Sequence, residues 1–291
     1  MDTSVLIQSI LNGLMAGWIY ILVALGLTLV LSIMGIFQLA HGEIYMLGAY
    51  CTYYICTVLG LHFLLGLIIS ALVVGALGIG LEKLFLRPFR RSGQFTRSVI
   101  IMTGLILILQ TTAVVAFGTS TKIVTTPFPG VISAGGVTLS IERLVIIIVG
   151  IIFVGALFFL IQRTKIGQAM VAISQNLDGA ALQGINVDHI SSITMFLGCA
   201  LAAVAGSLMG AIFSISPFMG SFALMKGIAV IILGGLGSVT GAVVGGLILG
   251  LIDGIVPPLA STQLASIVGF VAIILILQFK PQGLMGHSGA Q

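Results

Sequence analysis

Nine stretches of this chain stay apolar for 16 residues or more, at 5–34, 38–60, 62–81, 98–118, 141–161, 190–213, 221–236, 239–256 and 262–279. A helix needs about 20 such residues to cross a bilayer. Between the stretches there is almost nothing with which to build a water-compatible surface. Only 6% of the residues are charged and 59% are hydrophobic, with a mean hydropathy of +1.29, where soluble domains carry about 25% charged residues. The pattern predicts an all-α fold, a polytopic transmembrane helix bundle with about eight to ten spans. The seventh stretch is short and glycine-rich, and is expected to be re-entrant or broken. The first follows Asp2 rather than a basic residue, and is too long for the core of a cleaved signal.

The basic residues set an orientation. Eight of the eleven lie in three places: Lys83, Arg87, Arg90, Arg91 and Arg97 in one loop, Arg163 and Lys165 after the fifth span, and Lys280 in the tail. The positive-inside rule puts these on the cytoplasmic face. The loop 119–140, rich in Thr, Ser, Pro and Gly, then reads as external, and three crossings before Lys83 leave the N-terminus outside. The net charge of +4 is therefore an orientation signal and not one for nucleic acid. The cysteines, Cys51, Cys56 and Cys199, lie in apolar segments, where a thiol acts as a small hydrophobe.

Glycines recur at a spacing of four: Gly237, Gly241 and Gly245, then Gly246, Gly250 and Gly254, with Gly13/Gly17 and Gly206/Gly210 repeating it. Residues four apart share a helix face, and small residues there let backbones approach in lipid. Generic helix packing accounts for this. A subunit interface or an opening path is the sharper alternative.

Residues 163–190 form the longest polar insertion. Ile166, Met170, Ile173, Leu177 and Ala181 predict one apolar face on an otherwise polar helix, with Gly184 ending it and Asp188 capping the next span. Such a helix could lie in the lipid interface, pack on the protein's own face, or dock into a groove on a soluble partner. A small face (Ala, Gly) and a polar side of Gln, Asn and Ser rather than Lys favour docking.

Chemistry is conspicuous by its absence. The chain has no Walker loop, no H-E-x-x-H, no Cys/His cluster and no G-x-S-x-G, so neither catalytic nor metal-binding residues are assigned. Carboxylates within the spans are few, whereas ion-coupled carriers usually need several. The chain therefore reads as a translocation path driven from elsewhere, rather than a stand-alone channel or carrier or an intramembrane enzyme. Three ionisable residues stand out as candidates for the path or its gating: His41, Glu43 and Lys226. Gly35 and Gly42 suggest a break between the first two spans, with His41 just before the first turn of the second span and Glu43 inside that turn, where the helix dipole favours a carboxylate. His41 and Glu43, two apart, point to different faces. Lys226 reads either as a lysine snorkelling to the external interface or as a pore-mouth charge meeting a substrate carboxylate or a binding protein.

Several blocks carry a family resemblance. The stretch 12–50, with its N-G-x-x-x-G-x-x-Y start and its A-H-G-E block, resembles the opening of the permease subunits of bacterial branched-chain amino acid ABC importers. So do "LRPFRR" (86–91), the 163–190 segment, "MKGIAVIILGGLGSVTGAVVGGLILG" (225–250) and "PQGLMG" (281–286). Gln168 and Val171 stand where Arg is common in that family, and Gln38 where Asn is common. The resemblance implies a single transmembrane permease domain over 1–291 in the bacterial inner membrane, carrying Leu, Ile and Val. Urea, short amides or other amino acids are the alternative cargo. It further implies a coupling helix at about 163–189, with Gly167, Gln168, Ala169, Ile173, Leu177, Ala181 and Gly184 meeting the ATPase. The implied partners are two ATP-binding-cassette ATPase subunits, a second homologous permease (hetero- or homodimer) and a periplasmic or lipid-anchored substrate-binding protein. ATP would be bound by the partners, and this chain would hold no cofactor.

Overall fold

The computed structural model describes residues 3–90, 95–124, 128, 130–134 and 137–286. Arg91 of the basic loop lies outside them. The predicted all-α bundle is observed. Helices α1 (Thr3–Met34), α3 (Phe63–Leu81), α5 (Phe95–Phe117), α6 (Ile141–Arg163), α9 (Val187–Gly210), α11 (Val239–Leu259) and α12 (Thr262–Phe279) include seven candidate membrane spans among the described residues. Two shorter helices, α2 (His41–Thr57) and α10 (Met219–Gly234), complete the bundle. With 16 residues, α10 is about 24 Å long, short of the roughly 30 Å hydrocarbon core. It is nevertheless one unbroken helix, and Ile215 in the loop leading to it is fully buried.

The central helix is α1. Every residue from Ile19 to Val30 is buried, because α6, α9, α10 and α11 pack around it. A helix apolar on all sides belongs in such a place. The glycine pattern explains how the neighbours get so close. A Cβ on Gly250 would stand 2.3 Å from the Gly17 Cα, one on Gly254 2.4 Å from the Gly13 Cα, and one on Gly241 2.2 Å from the Gly234 carbonyl. The same holds where α2 crosses α9, with Gly48 against Ala203. There Thr52 and Ser207 hydroxyls meet at 2.7 Å, and Ser70 on α3 donates to the Gly48 carbonyl. Close backbones and buried hydroxyls replace the hydrophobic drive that lipid cannot supply.

Helix direction follows from the contacts. Asn12 meets Arg143 and Gly150 meets Trp18, so α1 and α6 run parallel. The C-terminal end of α1 is thereby placed with the turn after α6, which carries Arg163 and Lys165. Ser32 donates to the Gly237 carbonyl, bringing the α10–α11 turn there as well. Arg87 reaches Asp188 and Ser192 at the start of α9. Arg87, Arg163 and Lys165 thus gather at one end of the bundle. The opposite end carries the hairpin β1 (Val131–Ala134) and β2 (Val137–Ser140), paired antiparallel with Val131 opposite Ser140. There Lys122 and Ile215 exchange backbone hydrogen bonds of 2.8 and 2.9 Å.

Two expectations about element ends need correction. The helix of α3 does not stop at Leu81. It continues through a π-helical turn (Glu82–Leu86) into α4 (Arg87–Arg90). The wider turn aligns Glu82 with Arg87, five residues on, in a two-pronged ion pair of 3.1 and 3.3 Å. The polar helix expected over 166–181 is two helices, α7 (Lys165–Gln175) and α8 (Leu177–Leu182). Asn176 is extended and caps α8 by accepting from the Gly179 N–H at 2.8 Å. A side chain that captures the backbone in this way competes with helix continuation.

Candidate functional site

The junction between α1 and α2 holds the first candidates. Gly35, with φ +65°, turns the chain out of α1, and α2 opens at His41. Glu43 lies in the first turn as expected. His41 is already the first residue of that turn rather than the residue before it. Gly42 is not at the break either. It is inside α2, where a Cβ would stand 2.2 Å from the Gly220 carbonyl of α10. His41 is fully buried, its Nδ1 3.3 Å from Gln38 Oε1, with its ring against Gly26 of α1. Gln38 also donates to the buried Cys199 Sγ at 3.7 Å. Glu43 points elsewhere, into a 350 Å³ cavity lined by Leu39, Ser221, Leu224 and Ile228, with Phe270 of α12. Its Oε2 is buried and has no hydrogen-bond partner among the described residues. The two side chains therefore do not act as a pair.

Lys226 is the larger correction. It is 7% exposed, in the middle of α10, and does not snorkel. Its Nζ sits 2.7 Å from Asp253 Oδ2 and 2.9 Å from Oδ1, on α11. Tyr20 of α1 donates its hydroxyl to the same Oδ2 at 2.7 Å. The rings of Tyr20 and Phe222 lie 5.7 and 5.6 Å from Nζ, within cation–π range. Three helices are locked together at one ion pair. The group faces a 510 Å³ cavity that is also lined by Asn12, Arg143, Ile19 and Phe213. Arg143 donates to the Asn12 amide oxygen.

Depth can be read along α1. Tyr20 stands twelve residues from Ser32, the residue that touches the basic-end turn. At 1.5 Å per residue that is about 18 Å, so the ion pair lies deep in the apolar layer. Charge at such depth is expensive.

At the basic end, α7 is held tightly. Thr164 caps it, accepting from the Gly167 N–H at 3.0 Å. A Cβ on Gly167 would stand 2.2 Å from the Leu160 carbonyl. Gly167 and Ile173, expected on the docking face, are buried with Met170 against the chain itself. Ala169 is half-buried, while Gln168, Leu177, Ala181 and Gly184 are exposed. Gly184, with φ +82°, does follow the end of α8. The cap of α9 is Asn186, which accepts from the His189 N–H at 3.0 Å, rather than Asp188. The outward apolar residues are Ile166, Val171, Leu177 and Leu182, the last 87% exposed. At the start of α9, the hydrogen-bonded carboxylate of Glu82 holds the Arg87 guanidinium above its usual pKa.

The family of branched-chain amino acid transport system permease components matches residues 9–277. The chain belongs to this family. It is 33% identical, over 97% of its length, to the high-affinity branched-chain amino acid transport system permease protein BraD of Pseudomonas aeruginosa, and covers 96% of that protein. The same coverage holds for the LivH permease proteins of Salmonella typhimurium, at 33% identity, and Escherichia coli, at 32%. No solved structure matches the chain.

The blocks that resembled this permease family meet in space. In the N-G-x-x-x-G-x-x-Y start, Asn12 holds Arg143, Gly13 and Gly17 admit α11, and Tyr20 holds Asp253. The tail "PQGLMG" folds onto the "LGGLG" turn, with Leu284 and Met285 N–H groups donating to the Leu233 and Gly234 carbonyls at 3.0 and 2.9 Å. Of the packing glycines, Gly241, Gly245 and Gly250 lie in helix contacts within this permease chain. Gly237 does not. It is in the α10–α11 turn with φ +82°. Sequence reading missed Tyr20, Asp253, Arg143 and Asn12 as a group, and the one signal was the rarity of charge within spans.

Proposed function

We propose that this chain is the permease subunit of an ATP-binding-cassette importer that carries Leu, Ile and Val across the bacterial inner membrane. The observation that carries the reading is a family match over nearly the whole chain, to relatives named for branched-chain amino acid transport. The chain itself supplies no nucleotide loop, so hydrolysis belongs to two ATPase partners and this subunit is not an enzyme. The whole chain acts as one permease domain, paired with a second permease and served by an external substrate-binding protein.

The exposed part of α7 and α8 is the coupling surface. Gln168, Leu177, Ala181 and Gly184 stay in this role. Gly167 instead anchors the segment to α6 and Ile173 is buried behind it, so a push on α8 moves the spans. Ile166, Val171 and Leu182 join the surface because they are apolar and outward. The asparagine cap at Asn176 is the bend that presents α8.

Uptake of labelled leucine against labelled urea, in a strain lacking the gene and then complemented, tests the substrate. Leucine uptake restored by the gene is the expected result, and restoration of urea uptake alone overturns it. Cysteine pairs between residues 166–184 and the ATPase test the docking. No crosslink at any of these positions would refute it.

A further inference from the structure

We propose that the cavity around Lys226 and Asp253 is a site for a zwitterionic aliphatic α-amino acid in transit. Lys226 and Arg143 receive its carboxylate, Asp253 its ammonium group, and the apolar wall its side chain. The substrate class rests on the branched-chain amino acid reading above. The site rests on the cavity.

An α-amino acid presents a cation and an anion one carbon apart. Lys226 and Asp253 present the same two charges side by side, Nζ to Oδ2 at 2.7 Å, on the wall of one cavity. Exchange of partners, ion pair for ion pair, leaves no charge alone at any stage. Arg143 adds a second cation to that wall, and its amide partner Asn12 is neutral. A substrate carboxylate can therefore engage the wall before the Lys226–Asp253 pair opens. Tyr20 fixes the Asp253 carboxylate from α1. Ile19, Met209, Phe213 and Phe222 supply a surface for an aliphatic chain. The volume, 510 Å³, is within the range of small-molecule sites, roughly 300–1,000 Å³.

Stability alone does not require the pair. Well-packed apolar residues hold helices together at least as well as a buried ion pair does. The position also suits passage. The pair lies near mid-depth on α1, while Asn12 and Arg143 lie toward the end opposite the basic cluster. The cavity thus runs from the side of Asn12 and Arg143 to the ion pair near the centre of the bundle.

The test uses the assembled transporter in lipid nanodiscs, without its binding protein, and reads equilibrium binding of labelled leucine beside uptake by the complete system. Wild type should bind leucine saturably in the millimolar range. The double variant Lys226→Met/Asp253→Met should assemble with an unfolding midpoint close to wild type and well above that of Lys226→Met, yet lose at least about tenfold in affinity. Two single-charge analogues, 4-methylpentanoate and isopentylamine, should compete about tenfold worse than leucine. Wild-type binding and uptake in the double variant would overturn the proposal, as would analogues that compete equally. If the system imports another zwitterionic amino acid but not leucine, and binding of that amino acid is lost in the double variant, the site stands and the branched-chain reading falls. Urea import with no amino acid binding overturns both.

Discussion

Lys226 and Asp253, 27 residues apart in the chain, form an ion pair of 2.7 Å between α10 and α11 with the Tyr20 hydroxyl on the same carboxylate. Lys226 is buried and Asp253 largely so, with side-chain exposures of 8% and 15%. Removing one partner strands the other charge. Lys226→Met should therefore destabilise the subunit by about 3–5 kcal/mol. Lys226→Met/Asp253→Met should recover most of that loss, since neither charge is left. Thermal unfolding of the solubilised protein checks both. Equal destabilisation by the single and double variants would mean that the contacts around the pair, and not its charges, set the cost.

Backbone contact between α1 and α11 makes a sharp prediction about glycine. Gly250→Ala drives a methyl group to within 2.3 Å of the Gly17 Cα, where nothing flexible can give way, whereas Gly80 has nothing within 4 Å of a Cβ. Overpacking of this kind costs about 1–3 kcal/mol. Gly250→Ala should lower the unfolding midpoint and the yield of monodisperse protein, while Gly80→Ala should leave both unchanged or slightly raised. A matched pair of melting curves decides it.

The asparagine at the α7–α8 bend should matter locally. Asn176→Ala removes the 2.8 Å cap on α8 and should cost about 1 kcal/mol. Asn176→Asp should keep most of it. Hydrogen exchange at residues 177–182 should speed up in the alanine variant, with the spans unaffected. If α8 is the coupling surface, leucine uptake should fall in step. Faster exchange with undiminished uptake would separate the helix from the function.

Glu43 can be neutralised without changing its shape. Its Oε2 is buried without a hydrogen-bond partner among the described residues and faces the 350 Å³ cavity. Glu43→Gln should insert and fold at wild-type level, because no ion pair among the described residues is broken. Uptake should drop severalfold if the carboxylate guides cargo or a gate. Uptake at the wild-type rate would reduce Glu43 to a helix-end residue satisfied by the α2 dipole.

Much of this molecule was legible in residue order. The runs of Leu, Ile and Val are long enough to place the spans to within a few residues, the π-helical extension of α3 excepted, since lipid demands internally satisfied backbone. Gly184 marked a helix end, and the spaced glycines at 241, 245 and 250 marked close contacts. Local chemistry was read less well where two signals compete. The apolar spacing from Ile166 to Ala181 hid the Asn176 cap, because a periodic pattern does not record which side chain turns back on its own backbone.

By itself the sequence determined the membrane bundle, its orientation signals, the family and the absence of a nucleotide loop. These depend on composition and on local order, which any extended chain already displays. Only the tertiary structure decided what Lys226 is. Its partners, Asp253 and Tyr20, come from two other helices at separations of 27 and more than 200 residues. No local spacing encodes such a meeting. It exists because Gly13, Gly17, Gly246 and Gly250 let α1 and α11 touch backbone to backbone. That approach brings Tyr20 and Asp253 to one point in the low-dielectric layer, where a lone lysine could not have stayed.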